Sequence, residues 1–360
     1  MNANLKKTFE LGQSIWYDSI SRAAIRGGEL AALRDAGVRG VTTNPSIFQK
    51  ALAGSADYDD DLRALIAAGK TDTEIYDALT VNEVREACVV FRSLWESSEG
   101  GDGFVSLEVN PLIADDAATT VSEACRLWKK LDCPNAMIKI PATDAGVEAI
   151  ADAIEAGVNV NATLIFSLAQ YEAVANAFIE GLERRAVKGL PLNQASVASA
   201  FVSRIDTAVD PMLKDKAPEL AGKIAIANTR AIYASFRKIF TSQRWAALAA
   251  KGAREQRPLW ASTGVKNPAY SPTLYTDGLI GPDTVNTLPP AALKAFMESG
   301  TPALTATAPG FEEDLAALEA AGISLKAVTD KLMTNGLESF VQSFRDMMRI
   351  IATRRASLKA

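Results

Sequence analysis

Histidine is absent from the chain. That removes the usual proton relay of hydrolytic triads and the commonest ligand of zinc and non-haem iron, so any acid–base chemistry must run on carboxylates, lysine, tyrosine or water. Cysteine is scarce: Cys88, Cys125 and Cys133 are an odd set without metal-ligand spacing and read as reduced core residues. A basic surplus is lacking too. With 38 Lys and Arg against 43 Asp and Glu, the net charge of -5 offers no face to nucleic acid. No apolar run is long enough to span a bilayer, and Met1–Glu10 has no apolar stretch like that of a secretory signal. A cytoplasmic protein without nucleic-acid or membrane partners is expected.

What is present is a chain of 360 residues, 48% of them apolar, which is ample for a sizeable core. Short strand-like runs alternate with longer helical segments. The runs are Ser14–Ser19, Gly40–Asn44, Phe104–Asn110, Ala136–Ala142, Asn159–Phe166, Ala198–Ile205, Pro258–Thr263 and Asp283–Leu288. Between them, stretches such as Gly28–Ala36, Ala114–Leu131, Ala145–Ala156 and Ser167–Ala186 carry apolar residues at helical spacing. Eight such units predict an α/β fold, a closed (β/α)8 TIM barrel forming a single domain over residues 1–360. A doubly wound open sheet is the competing architecture, but no Gly-x-Gly-x-x-Gly follows a strand. Additional helices are expected over 47–103, as three helices near Ser46–Ala53, Asp57–Ala68 and Thr73–Glu96, and over 207–256, as a long helical pair. A helical C-terminal tail over 289–360, broken near Pro302–Pro309, Gly322 and Gly336, should pack across the side or mouth of the barrel.

Within Ala136–Ala142 sits a lysine, Lys139, in an apolar β-branched frame. Burying an ammonium costs at least about 3 kcal/mol unless it is paired or gives up its proton. Two readings are open: a structural ion pair with a neighbouring carboxylate, or a neutral amine able to attack carbonyls. Strand parity bears on the choice, because alternate side chains share a face. Lys139 shares its face with Met137, Glu108 with Ser106 and Asn110, Asp18 with Trp16, Asn44 with Thr42, and Asn161 with Thr163; Ile138, Ile140, Val105, Leu107, Val109, Val160, Ala162 and Leu164 face the other way. Five strands thus each present polar groups on one face, whereas the interior of an ordinary barrel is mostly branched aliphatic. A converging set containing an amine, carboxylates and amides suits a Schiff base with a keto sugar, in which the lysine attacks, a carboxylate shuttles protons and the amides hold hydroxyls. Ser199 and Arg204 at the end of one strand, and Ser262, Gly264 and Lys266 after the next, offer donors to a phosphate.

Six motifs in order, WYDS at Trp16–Ser19, GVTTNPS at Gly40–Ser46, VSLEVN at Val105–Asn110, IKIPAT at Ile138–Thr143, NVNATL at Asn159–Leu164 and AFVSR at Ala200–Arg204, make the chain resemble the transaldolases along nearly all of its length. The resemblance implies a class I aldolase-type barrel without metal or cofactor. It also implies roles: Lys139 as the Schiff-base lysine, Glu108 as an acid–base acting through a water held with Thr163, and Asp18 as the carboxylate handling the hydroxyl proton at cleavage. Asn44 and Asn161 correspond to the amides gripping dihydroxyacetone hydroxyls, Ser199 and Arg204 to phosphate contacts, and Phe201 to the apolar residue that keeps the site from acting as a plain aldolase. Where many members have a second phosphate-binding arginine, Ser262–Lys266 puts lysine, as in the longer bacterial subfamily, so the planar bidentate fork is lost there. The implied reaction moves a dihydroxyacetone unit from sedoheptulose 7-phosphate to glyceraldehyde 3-phosphate in the non-oxidative pentose phosphate pathway. The alternatives are an aldolase releasing free dihydroxyacetone from fructose 6-phosphate, and a noncatalytic sugar-phosphate-binding barrel in which Lys139 pairs with Glu108. Small-molecule sugar phosphates are the expected partners, with the protein a monomer or homodimer.

Overall fold

The computed structural model describes residues 1–53 and 55–359; Gly54, within the expected 47–103 insertion, and Ala360, the last residue of the expected tail, lie outside the described residues. Eight strands form in chain order: β1 (Gln13–Tyr17), β2 (Gly40–Val41), β3 (Phe104–Glu108), β4 (Ala136–Pro141), β5 (Val160–Ile165), β6 (Ser196–Phe201), β7 (Arg257–Ala261) and β8 (Thr284–Leu288). Each pairs in parallel with the next, and β8 returns to β1, closing the barrel. Parallel neighbours require crossovers, which the intervening helices supply while covering the outer face of the sheet. This is the (β/α)8 barrel with added helices that the alternation predicts.

The period of two divides the core into two clusters. Ile15, Val41, Val105, Leu107, Ile138, Ile140, Val160, Ala162 and Ala198 pack under the outer helices. Trp16, Phe104, Met137, Val197, Leu259 and Val285 fill the interior. Gly40 is required by that filling, since a Cβ there would stand 2.7 Å from the Trp16 ring. No helix among the described residues is long and apolar enough to cross a membrane.

Several boundaries differ from the sequence expectation. β2 keeps only Gly40–Val41 as ladder, so Asn44 caps the turn into the helix Pro45–Ala53, its Oδ1 accepting from Ile47 N at 3.1 Å. Asn110 likewise leaves the inward face, and its side chain accepts from Leu112 N to start a 3-10 turn. β6 ends at Phe201, so Ser203–Ile205 open the helix Ser203–Leu213 rather than extend a strand. Residues 207–256 hold the remainder of that helix, a 3-10 turn at Pro218–Leu220, and two further helices, Ile224–Ile239 and Gln243–Ala249, in place of one long pair. Leu164 was expected outside, yet it joins the interior cluster. A bulge between Ala162 and Ile165, with Leu164 at φ 60, shifts the alternation by one residue.

The tail forms helices Pro290–Ser299, Phe311–Ala320 and Leu325–Lys359. The last runs uninterrupted through Gly336, where a break was expected, and packs over the barrel mouth against the helix Pro45–Ala53 and β5. Helix-weakening by glycine is overridden here because the residue is buried in a close contact.

Candidate active site

β4 brings Lys139 to the middle of the barrel, in register with Glu108 of β3 on one side and Asn161 of β5 on the other. Its exit is pinned by Thr143, whose hydroxyl accepts from Gly146 N at the start of the helix Asp144–Glu155. Lys139 is buried, and its Nζ donates to the Thr43 carbonyl at 2.9 Å. Glu108 Oε2 lies 3.5 Å from the same nitrogen, an ion-pair contact that falls short of a hydrogen bond. Neither Glu108 oxygen, nor Thr163 Oγ1, has a protein hydrogen-bond partner, although all three atoms are buried. Buried polar atoms are nearly always paired, so these three stand ready for a substrate or water.

Burial is the main reason that the Glu108 carboxyl is pushed up to about 7; the Lys139 charge pulls the other way and Asp18 adds to the rise. Asp18 sits just past β1, with its backbone N–H held by the Leu288 carbonyl at 2.9 Å. Burial also raises the Asp18 carboxyl, opposed by the Thr42 hydroxyl and by the charges of Lys139 and Lys266. Thr42 Oγ1 donates to Asp18 Oδ1 at 2.6 Å and is itself 2.6 Å from Thr287 Oγ1.

A cavity of about 580 Å³ opens at the C-terminal ends of the strands. Asp18, Asn44, Lys139, Thr163, Ser199, Phe201, Arg204 and Lys266, eight of the ten residues singled out from the sequence, line it. Glu108 and Asn161 lie behind its wall. Asn161 is buried inside the barrel with each end of its amide bonded to a serine, Nδ2 donating to Ser106 Oγ at 3.0 Å and Oδ1 accepting from Ser199 Oγ at 2.7 Å. The Ser106–Asn161–Ser199 chain therefore spans β3, β5 and β6 and braces β4 between them.

Arg204, in the first turn of the helix Ser203–Leu213, is half-buried beside Phe201, its guanidinium 5.1 Å from the ring centroid. Burial lowers its pKa, but a guanidinium stays charged. Among the described residues no carboxylate lies within ion-pair distance of Arg204 or of Lys266, although exposed Arg and Lys elsewhere in the chain are commonly paired. Ser262 lines the same side with φ 54, a strained conformation for a residue with a side chain. Two unpaired cations and a helix N-terminus converging on one wall make a place for an anion.

Sequence reasoning missed Phe340 and Lys50, which also line the cavity. Phe340 comes from the tail, where no strand parity applies. Lys50 follows Ser46 by one turn on the helix Pro45–Ala53, and that helical spacing was the only available signal.

Fold and cavity define the class first: a (β/α)8 barrel with a polar cavity at the C-terminal ends of its strands, the end where enzymes of this fold carry their sites. The model of the Transaldolase/Fructose-6-phosphate aldolase family matches residues 15–351. A transaldolase of Saccharopolyspora erythraea is 45% identical over 357 residues, covering 97% of each chain. A transaldolase of Neisseria meningitidis serogroup A is 46% identical over 341 residues, 94% of this chain and 96% of its own. One of Thermobifida fusca is 45% identical over 368 residues, 99% of this chain and 100% of its own. The chain belongs to the transaldolase/fructose-6-phosphate aldolase family.

Proposed function

We propose that this enzyme works as a transaldolase, moving a dihydroxyacetone unit from sedoheptulose 7-phosphate to glyceraldehyde 3-phosphate to give erythrose 4-phosphate and fructose 6-phosphate. The observation that carries the reading is Lys139 Nζ at the floor of the cavity, 3.5 Å from a carboxylate whose oxygens are otherwise unpartnered. The family takes in both transfer and release of free dihydroxyacetone, and the shared name of the relatives favours transfer.

The chemistry follows from the groups present. The Lys139 amine adds to the ketose carbonyl, and loss of water leaves an iminium. Glu108, with a pKa of about 7, is suited to both accepting and returning protons in these steps, reaching the carbinolamine directly or through a water shared with Thr163 Oγ1. Asp18 takes the proton of the C4 hydroxyl; the C3–C4 bond breaks, its electron pair moves to the iminium nitrogen, and the aldose phosphate leaves. The remaining enamine attacks the incoming aldehyde, and hydrolysis of the new iminium frees the product and the amine. Asn44 would grip a hydroxyl of the dihydroxyacetone unit. Asn161 acts mainly by aiming Ser199, while Arg204 and Lys266 hold the phosphate of donor and acceptor in turn. In this reading the chain acts as one domain, monomeric or dimeric, on free sugar phosphates of the cytoplasm.

A coupled assay with the two sugar phosphates tests the proposal: turnover insensitive to chelator is expected, and a well-folded sample with none would overturn it. Borohydride added with fructose 6-phosphate should leave a reduced adduct on the Lys139 peptide.

A further inference from the structure

The C-terminal helix Leu325–Lys359 lays Met333, Leu337 and Phe340 against the interior cluster that contains Leu164, Phe166 and Phe201. Gly336 lies at the close point of that approach. A Cβ there would lie 3.1 Å from Leu164 Cδ2 and 3.5 Å from both Arg204 Nη1 and Phe166 Cε2. One turn further on, the Phe340 ring is 3% exposed, lines the cavity and has its centroid 5.9 Å from Lys139 Nζ. Ser343 then ties the helix to the rim, its Oγ 2.7 Å from Ser46 Oγ. A residue more than 200 positions from Lys139 in sequence is thus held, by a glycine contact and a hydroxyl pair, above the nitrogen that would carry the imine.

We propose that Phe340 is a specificity-determining residue that roofs Lys139 and keeps water from the enamine, so that the enamine waits for an aldehyde. This rests on the Schiff-base reading above. After cleavage the enamine has two fates. In one, its carbon forms a bond to the acceptor aldehyde, whose oxygen takes a proton. In the other, that carbon takes a proton from water, and hydrolysis of the resulting iminium releases dihydroxyacetone and the free amine. Hydrolysis ends both routes, so the roof acts on the earlier step, protonation of carbon. A buried aromatic ring has no proton to give there, and its bulk occupies the space a water would need. Phe201 stands on the β6 side of the same cavity, whereas Phe340 closes it from the tail.

The test measures free dihydroxyacetone against sedoheptulose 7-phosphate formed by transfer in the full-length enzyme, using fructose 6-phosphate with and without erythrose 4-phosphate as acceptor. Phe340→Ala and Phe340→Gln should raise the ratio of released to transferred units by about tenfold, whereas Phe340→Leu should keep it within about threefold. Gly336→Leu, which retains Phe340 but places a side chain larger than the space left by Leu164, Phe166 and Arg204 and so displaces the helix, should raise the ratio in the same direction and supplies the measurement if Phe340→Ala does not fold. Borohydride trapping on Lys139 accompanies each variant. Adducts of normal yield with an unchanged ratio in the Gln and Gly336 variants would overturn the roof. Loss of the adduct in the wild type would instead overturn the Schiff-base reading, and the roof with it.

Discussion

Two buried polar clusters of the barrel, one around Asp102 and one around Glu108, use their atoms in opposite ways. At the N-terminal end, Asp102 is saturated: Oδ2 accepts from Ser14 Oγ at 2.8 Å and Arg39 Nε at 2.6 Å, and Oδ1 from Trp16 Nε1 at 3.2 Å and Arg257 Nη1 at 3.3 Å. Toward the C-terminal end, both oxygens of Glu108 and the Thr163 hydroxyl have no protein hydrogen-bond partner, and among the described residues no carboxylate lies within ion-pair distance of Arg204 or Lys266. One buried network closes the fold; the other is held open for a ligand. Satisfied buried polar groups stabilise, whereas unsatisfied ones cost free energy that a bound substrate or water offsets.

The sharpest test of this contrast is Lys139→Ala. Turnover should fall by about 10^4-fold or more in the coupled assay while the thermal melting point moves by only a few degrees, since the nucleophile is lost but no packed network is opened. Near-wild-type activity would return Lys139 to the role of a structural cation. Next in size is Glu108→Gln, expected to lower kcat by about 10^2 to 10^3-fold. Its pH profile supplies the sign. Burial raises the carboxyl from 4.5 to about 7, so below about pH 7 the base form is lost and kcat/KM should fall as pH falls; the Gln variant should lack that limb. The same raised value means that the folded state holds this proton between about 4.5 and 7. The stability it contributes is therefore present below 4.5 and lost as pH rises through about 7.

Asp102→Ala attacks the opposite end. It should cost about 2–4 kcal/mol in denaturant unfolding, discounted because Arg39 and Arg257 keep some access to water, with kcat of the folded enzyme little changed. A collapse of kcat without loss of stability would erase the division between the two ends. The smallest effect is expected for Lys266→Ala. As an exposed anchor it should raise KM about tenfold and leave kcat within about twofold, because phosphate anchoring contributes equally to ground and transition states. An unchanged KM would make Lys266 a solvated loop residue.

Much of the barrel was legible because its signals are local. Ile138 and Ile140 alternate with Met137 and Lys139 in a stretch of four residues, and covering both faces of a parallel strand forces that alternation inward and outward. The same parity placed Glu108 and Asn161 inside. It failed at Leu164, where a bulge shifts the period, and it had nothing to say about Phe340; the expected strand Ala198–Ile205 ran too far, because Arg204 lies in a helix that starts at Ser203.

The residue order by itself determined eight strands, a polar face on five of them and a lysine among carboxylates and amides, because side-chain alternation needs no knowledge of distant neighbours. Only the tertiary structure decided that Asn161 spends both its polar ends on serines, that Glu108 is held near neutrality, and that a helix from the far end of the chain covers the amine. Those depend on burial and on which atoms finally touch, and both arise from closing the sheet and folding the tail across it.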